Sequence, residues 1–260
     1  MLNNQPAPPG HSREFVEYLW DSQPNESMLF LIESLMSNIH ILSQNLPLPT
    51  TEEEKKMHLF HDFMINKVGQ NMSAEQYRRW WIEVWISRIV DALQIYLSEI
   101  LVRIYTEKPE TLKGSDNKVE VREVLEAGSI DEFTQRYAEH KVSGLAYKGL
   151  PKLIEYMNNS FNLRFDTSDS NFQSACEIVE VRNIIVHNRG RISKSFLQRL
   201  PNKANEGLQV GELYPLDFSY AVHTSEHLRK FVEVLDQRIV EHFRLNPSLG
   251  PRITKLRTPN

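Results

Sequence analysis

A chain of 260 residues is long enough for one large domain or two small ones, and 40% hydrophobic with 25% charged residues is the balance of a globular protein. Ten glycines among long periodic segments favour helices over a turn-rich β architecture. A net charge of −4 excludes a globally basic nucleic-acid binder, so any RNA-contacting surface has to be local, and a single cysteine excludes a disulfide scaffold.

Residues 1–12 carry Pro6, Pro8, Pro9 and Gly10 and read as an irregular tail without an amino-terminal signal. No apolar run approaches the ~18 residues of a membrane span. The nearest candidate, residues 29–42, is interrupted by Glu33, Ser34, Ser37 and Asn38. The expectation is a soluble cytoplasmic protein with no membrane contact. A short helix is predicted over 13–21, and a second over 26–44 with Leu31, Ile32, Leu35 and Ile39 at helical spacing. Thr50 and Glu53 form a capping box for a third, to about residue 68. Residues 1–23 thus read as tail and short helix, and 24–70 as accessory helices packed on the main bundle.

Ser73 and Gln76 make a second capping box. It opens the longest periodic run, residues 74–105, with Trp81, Trp85, Ile89, Leu93, Tyr96 and Ile100 on one stripe. Trp80, Trp81 and Trp85 read as core or dimer packing, and Arg78 and Arg79 as a solvated face. A polar loop at 108–118 leads to a short helix at 119–126. Ser129 with Glu132 caps the next, to about residue 144, and residues 150–161 form one more amphipathic piece. Ser168 and Asp169 offer caps for the helix after that.

This next helix is apolar on most of its circumference. Phe172, Ala175, Cys176, Val179 and Val186 share one face, and Ile178, Val181 and Ile185 a second. Such a pattern marks an inner helix, and it makes Cys176 a buried, inert thiol. The helix nevertheless ends in Arg182, Asn183 and His187, polar groups that need partners if buried. Gly190 closes it with a left-handed turn. Asn183 and His187, four apart, stack on one face. Arg182 and His187 are about 140° apart around the wheel. They can line one groove, especially if a second copy supplies the facing wall. His187 lies in the last turn, where the helix dipole favours a cation.

From residue 181 to 205 there is no acid, while Arg182, Arg189, Arg191, Lys194, Arg199 and Lys203 are basic. In an acidic chain this is the candidate phosphate-contacting stretch, although basic stretches also serve as solvated faces. Residues 201–216 read as a loop. Asp217 caps a final helix with Phe218, Leu228, Phe231, Leu235 and Ile239 at apolar positions. The tail after residue 246 is interrupted by Pro and Gly. No phosphate loop, nucleophile elbow or dinucleotide fingerprint occurs. His223 and His227, and likewise His58 and His61, lack a third ligand in the pattern and read as surface polarity rather than a metal site.

Arg182-Asn183-Ile184-Ile185-Val186-His187, late in an inner helix with a glycine turn behind it, resembles the Arg-x4-His motif of the HEPN superfamily. The likeness includes the polar residue straight after the arginine and extends over roughly residues 73–245. It implies an all-α multi-helix bundle, to which residues 1–70, outside the likeness, add an amino-terminal helical segment. It further implies a metal-independent, cofactor-free endoribonuclease, with Arg182, Asn183 and His187 as catalytic residues at a composite homodimer site. Arg189, Arg191 and Lys194 would then hold flanking RNA phosphates. The setting it suggests is defence, toxin or stress response, with an antitoxin or other regulatory protein as partner. HEPN members also include non-catalytic RNA-binding and scaffolding proteins. In toxins paired with an AMP-transferring antitoxin a tyrosine often follows the histidine by two. Here Arg189 stands there, a departure that bears on regulation by AMPylation and not on cleavage. A plainer reading of the triad is also open: Arg182 pairs with Glu177 or Glu180, and His187 is a satisfied core histidine.

Overall fold

The computed structural model describes residues 10–45, 51–53, 55, 56, 59, 74–112, 120–146, 149–200 and 207–245. Its helices are α1 (Arg13–Asn45), α2 (Ala74–Glu107), α3 (Val121–Glu126), α4 (Ile130–Ala146), α5 (Leu150–Phe161), α6 (Ser170–Asn188), α7 (Lys194–Arg199) and α8 (Phe218–Phe243). A short 3-10 turn, Pro109–Leu112, follows α2. Among the described residues there is no strand, only one isolated antiparallel bridge between Arg191 and Leu213. The protein is all-α. No described helix is long and apolar enough to cross a membrane.

The axis of the bundle is α2. Its 34 residues run about 50 Å at 1.5 Å per residue. Ile86, Val90, Leu93, Ile100 and Ile104 on it are fully buried. Helices α1, α4, α6 and α8 all pack against it. The inner helix read from the sequence, α6, lies between α2 and α8, with α5 on a further side. Asp169 caps it, accepting from the backbone N–H groups of Asn171 and Phe172 at 2.9 and 3.1 Å. The Asp217 carboxylate caps α8 through Tyr220 N–H at 2.6 Å. At α4 the Ser129 hydroxyl receives Glu132 N–H, and Glu132 reaches back to Gly128 N–H, both at 3.1 Å.

Several expectations change. The two helices predicted over 13–21 and 26–44 are one helix, α1, continuous through Pro24. A mid-helix proline removes one backbone bond, a cost of about 3 kcal/mol. Packing on either side offsets it: Phe15 and Tyr18 enter the main core, and Glu33 accepts from Arg78 Nε at 2.9 Å. His11 and Ser12 are not tail. Both are buried, and Ser12 caps α1 through Phe15 N–H at 3.1 Å. The predicted helix over 50–68 falls largely outside the described residues, though Lys55 N–H to Thr51 C=O at 3.0 Å closes a helical turn at its start. Ser73, His58, His61, residues 1–9 and residues from 246 on also lie outside them.

A second, smaller core lies at the carboxyl end of α6. Val181 and Ile184 meet Ile192, Phe196, Leu200 and Tyr214 there. This core gathers the described part of the basic stretch, and residues 207–216 of the segment predicted as a loop run as a loop against it. Ser193 caps α7, which the sequence reading did not foresee, through Phe196 N–H at 3.1 Å. Residues 190–192 pair with 211–214, with Ile192 N–H on Glu212 C=O at 2.8 Å and Tyr214 N–H on Gly190 C=O at 2.9 Å. Arg79 ties this pair to α2 by donating from Nη1 to Tyr214 C=O at 2.8 Å. Arg79 is therefore a strut between elements, not a solvated face.

Candidate functional site at the end of α6

Along α6, Phe172, Ala175, Cys176, Ile178, Val179, Val181 and Ile184 are buried, as the apolar pattern requires. Cys176 is a free, buried thiol, pushed up to about 12 by burial with Glu180 adding to the effect. Val186 departs from the pattern: it is 49% exposed. The last turn of α6 has already left the core, and His187 and Asn188 are exposed with it. The left-handed turn also begins one residue earlier than expected. Arg189 takes φ 53° and Gly190 follows at φ 71°. Gly190 N–H bonds back to Ile184 C=O at 2.9 Å. A Cβ on Gly190 would sit 2.9 Å from Arg79 Nη2 and 3.1 Å from Glu83 Oε1, so close approach as well as φ requires glycine here.

A cavity of about 750 Å³ opens where α6 emerges. Arg182, Asn183 and His187 line one side, together with Val179 and with Arg199 of α7. Leu93, Gln94, Leu97, Ser98 and Leu101 of α2, Val142 of α4, and Leu150 and Leu153 of α5 also line it. The ~140° between Arg182 and His187 does not separate them: both line this one cavity. Residues of this chain's own α2, α4 and α5 share that lining.

Arg182 is paired, but not as the plainer reading expected. Its Nη2 donates to Asp91 Oδ1 of α2 at 2.8 Å. Glu177 instead accepts from the Tyr214 hydroxyl at 2.7 Å, and Glu180 faces Arg199 Nη1 at 3.5 Å. The Arg182 Nε is buried with no acceptor. His187 is exposed rather than a core histidine. Neither it nor Asn183 has a side-chain hydrogen bond among the described residues. An imidazole, an amide and a partly committed guanidinium therefore face one open space. These groups can move a proton, orient an oxygen and stabilise an anion.

The three residues expected to bind RNA phosphates lie elsewhere. Arg189, Arg191 and Lys194 are exposed on the turn after α6 and at the start of α7, and none lines the cavity. Arg191 Nη1 donates to Gly211 C=O at 2.9 Å. The basic side chain that does reach the cavity is Arg199. Sequence reasoning placed it in the basic stretch but not at the site, because nothing marked α7 as a helix folding back. Asp91 went unnoticed altogether. Its one signal was chemical: an acid inside the apolar run Ile89-Val90-Asp91-Ala92-Leu93.

A smaller cavity of about 380 Å³ lies on the other side of α6, lined by Ser174, Glu177, Tyr220, His223, Thr224 and His227. His227 Nδ1 is 3.0 Å from Asn171 Oδ1. No cluster of three or more metal-ligating groups occurs among the described residues. No protein-family model matches the chain, and neither the curated proteins nor the solved structures compared with it give a match.

Proposed function

We propose that the chain is a metal-independent endoribonuclease of HEPN type. The observation that carries this reading is the gathering of Arg182, Asn183 and His187 on one open cavity, next to an exposed turn bearing Arg189, Arg191 and Lys194. RNA supplies its own nucleophile. His187 takes the proton of a 2′-hydroxyl, and the freed oxygen attacks the adjacent phosphorus. Arg182 and Asn183 hold the phosphate oxygens as negative charge builds on them. The bond from phosphorus to the 5′-oxygen breaks, and a protonated imidazole returns a proton to that oxygen. The products are a 2′,3′-cyclic phosphate and a 5′-hydroxyl. In a homodimer a second His187 fills the acid role while the first is the base. Arg189, Arg191 and Lys194 hold flanking phosphates, and a partner protein that covers the turn would silence the enzyme.

A second reading, a non-catalytic RNA-binding or protein-interaction module, draws on the charge balance. Arg182 and Arg199 stand beside Asp91 and Glu180, and Glu139 also lines the cavity. That is no strong anion trap. The test is incubation with single-stranded and transfer RNA in excess chelator, with end-group analysis and His187→Ala alongside. The nuclease reading expects cyclic-phosphate ends and a loss of rate of roughly a hundredfold or more in the variant. Intact RNA from a folded protein, retained on a filter, selects the binding module. Cleavage unchanged in the variant removes His187 from the chemistry.

A further inference from the structure

We propose that Asp91 is a positioning residue that acts through Arg182, holding its guanidinium at the cavity edge and lowering its effective charge. This inference rests on the nuclease reading for its kinetic consequence, but not for its geometry. The Asp91 side chain is 35% exposed and that of Arg182 is 20% exposed, a part-buried pair across two helices that are 91 positions apart in sequence. Asp91 rises from the most deeply packed helix of the bundle, with Val90 and Leu93 fully buried beside it. The backbone that carries its carboxylate is thus firmly held. Arg182 lines the cavity and Asp91 does not. The acid holds the guanidinium from α2, three residues before Gln94, which also lines the cavity. Arg199 repeats the arrangement with Glu180, more loosely at 3.5 Å.

A guanidinium has five N–H donors. The tie to Asp91 uses Nη2, and the buried Nε is closed to a ligand, which leaves Nη1. Donors therefore remain for a phosphate while the flexible side chain is held in place before the ligand arrives. The carboxylate also offsets part of the positive charge. A phosphodiester carries one negative charge, and the five-coordinate phosphorus formed on attack carries more. The offset charge loosens the hold on the phosphate in either state, so the gain in the later state comes from the fixed direction of the remaining donors. Interactions that strengthen only there raise the rate. Asp91 is on this account a device for kcat at some expense in KM.

The experiment separates the two quantities. Cleavage of single-stranded RNA in chelator is measured for the wild type, Asp91→Ala, Asp91→Asn, Arg182→Ala and the double variant Asp91→Ala/Arg182→Ala. Urea midpoints show that each is folded. Asp91→Ala should lower kcat by roughly tenfold to a hundredfold, the usual consequence of removing a group that orients a working one. Asp91→Asn keeps an acceptor oxygen, recovers most of that loss and lowers KM, because one negative charge is gone. The double variant should equal Arg182→Ala alone. Full additivity, or an unchanged kcat in Asp91→Ala, overturns the proposal. Nitrogen NMR of the Arg182 guanidinium, assigned by loss in Arg182→Lys, reads the tether without any cleavage. Restrained Nη rotation should be present in the wild type and Asp91→Asn and lost in Asp91→Ala; identical signals in all three overturn it. If the wild type cuts no RNA, the nuclease reading falls and the NMR signal alone decides whether Asp91 holds Arg182.

Discussion

Two aspartates, each on a long helix and each facing another element, end in opposite circumstances. Asp236 on α8 is fully buried. It accepts from Ser12 N–H at 2.7 Å, from the Ser12 hydroxyl and from the Tyr96 hydroxyl at 3.1 Å, and His11 Nδ1 lies 3.1 Å away. Burial pushes its carboxyl above the ordinary range, while these hydrogen bonds pull the other way. Asp91 is part-exposed and takes a single bond from Arg182. The first cluster uses its donors and is closed, so it joins α1, α2 and α8 into one body. The second leaves donors over and opens on a cavity. Saturation and burial distinguish a polar group that builds the fold from one available to a ligand.

The sharpest way to break this contrast is Asp236→Ala. It strips the partner from three donors in a sealed site and should cost about 3 kcal/mol in urea unfolding, whereas His187→Ala, at an exposed site, should stay within about 0.5 kcal/mol. Similar costs for the two would end the comparison. The pH dependence sharpens it further. Because the folded pKa of Asp236 is raised, its contribution is fully present below the ordinary carboxyl range and is lost as pH rises through the raised value. The deficit of Asp236→Asn should accordingly be larger at pH 4 than at pH 7.

A smaller effect is expected at the turn that follows α6. Gly190→Ala must adopt φ 71° and push against Arg79 and Glu83, which are bonded to each other at 2.9 Å. A loss of about 2 kcal/mol should follow, with release of the 190–192 and 211–214 pairing visible as faster amide exchange. The smallest effect concerns Cys176. With its pKa near 12, it is protonated at pH 8 and buried besides. Iodoacetamide should label it only after unfolding, and rapid labelling of the native protein would contradict the buried face of α6.

Much of the frame was legible from local rules. The caps at Asp169, Asp217 and Ser129 follow from side chains acting within one turn. The apolar stripe of the final helix, with Leu228, Phe231, Leu235 and Ile239 buried, follows from the 3.6-residue period. The break expected between residues 21 and 26 is absent because packing on either side offsets the cost of Pro24 inside α1. Val186 misled because periodicity marks a face but not where a helix leaves the core. Helix α7 is too short for a period to appear, and only the cluster of Phe196 and Tyr214 under it explains its presence.

By itself the sequence determined that this is an all-α protein, that α6 is an inner helix, and that Arg182, Asn183 and His187 stand at its polar end. Those properties are set by neighbours within a few residues. Only the tertiary structure decided that Arg182 meets Asp91, that Arg199 joins the cavity while Arg189, Arg191 and Lys194 stay outside it, and that Asp236 secures the start of α1. Each of these depends on how helices distant in sequence are laid side by side, and a one-dimensional pattern carries no record of which faces meet.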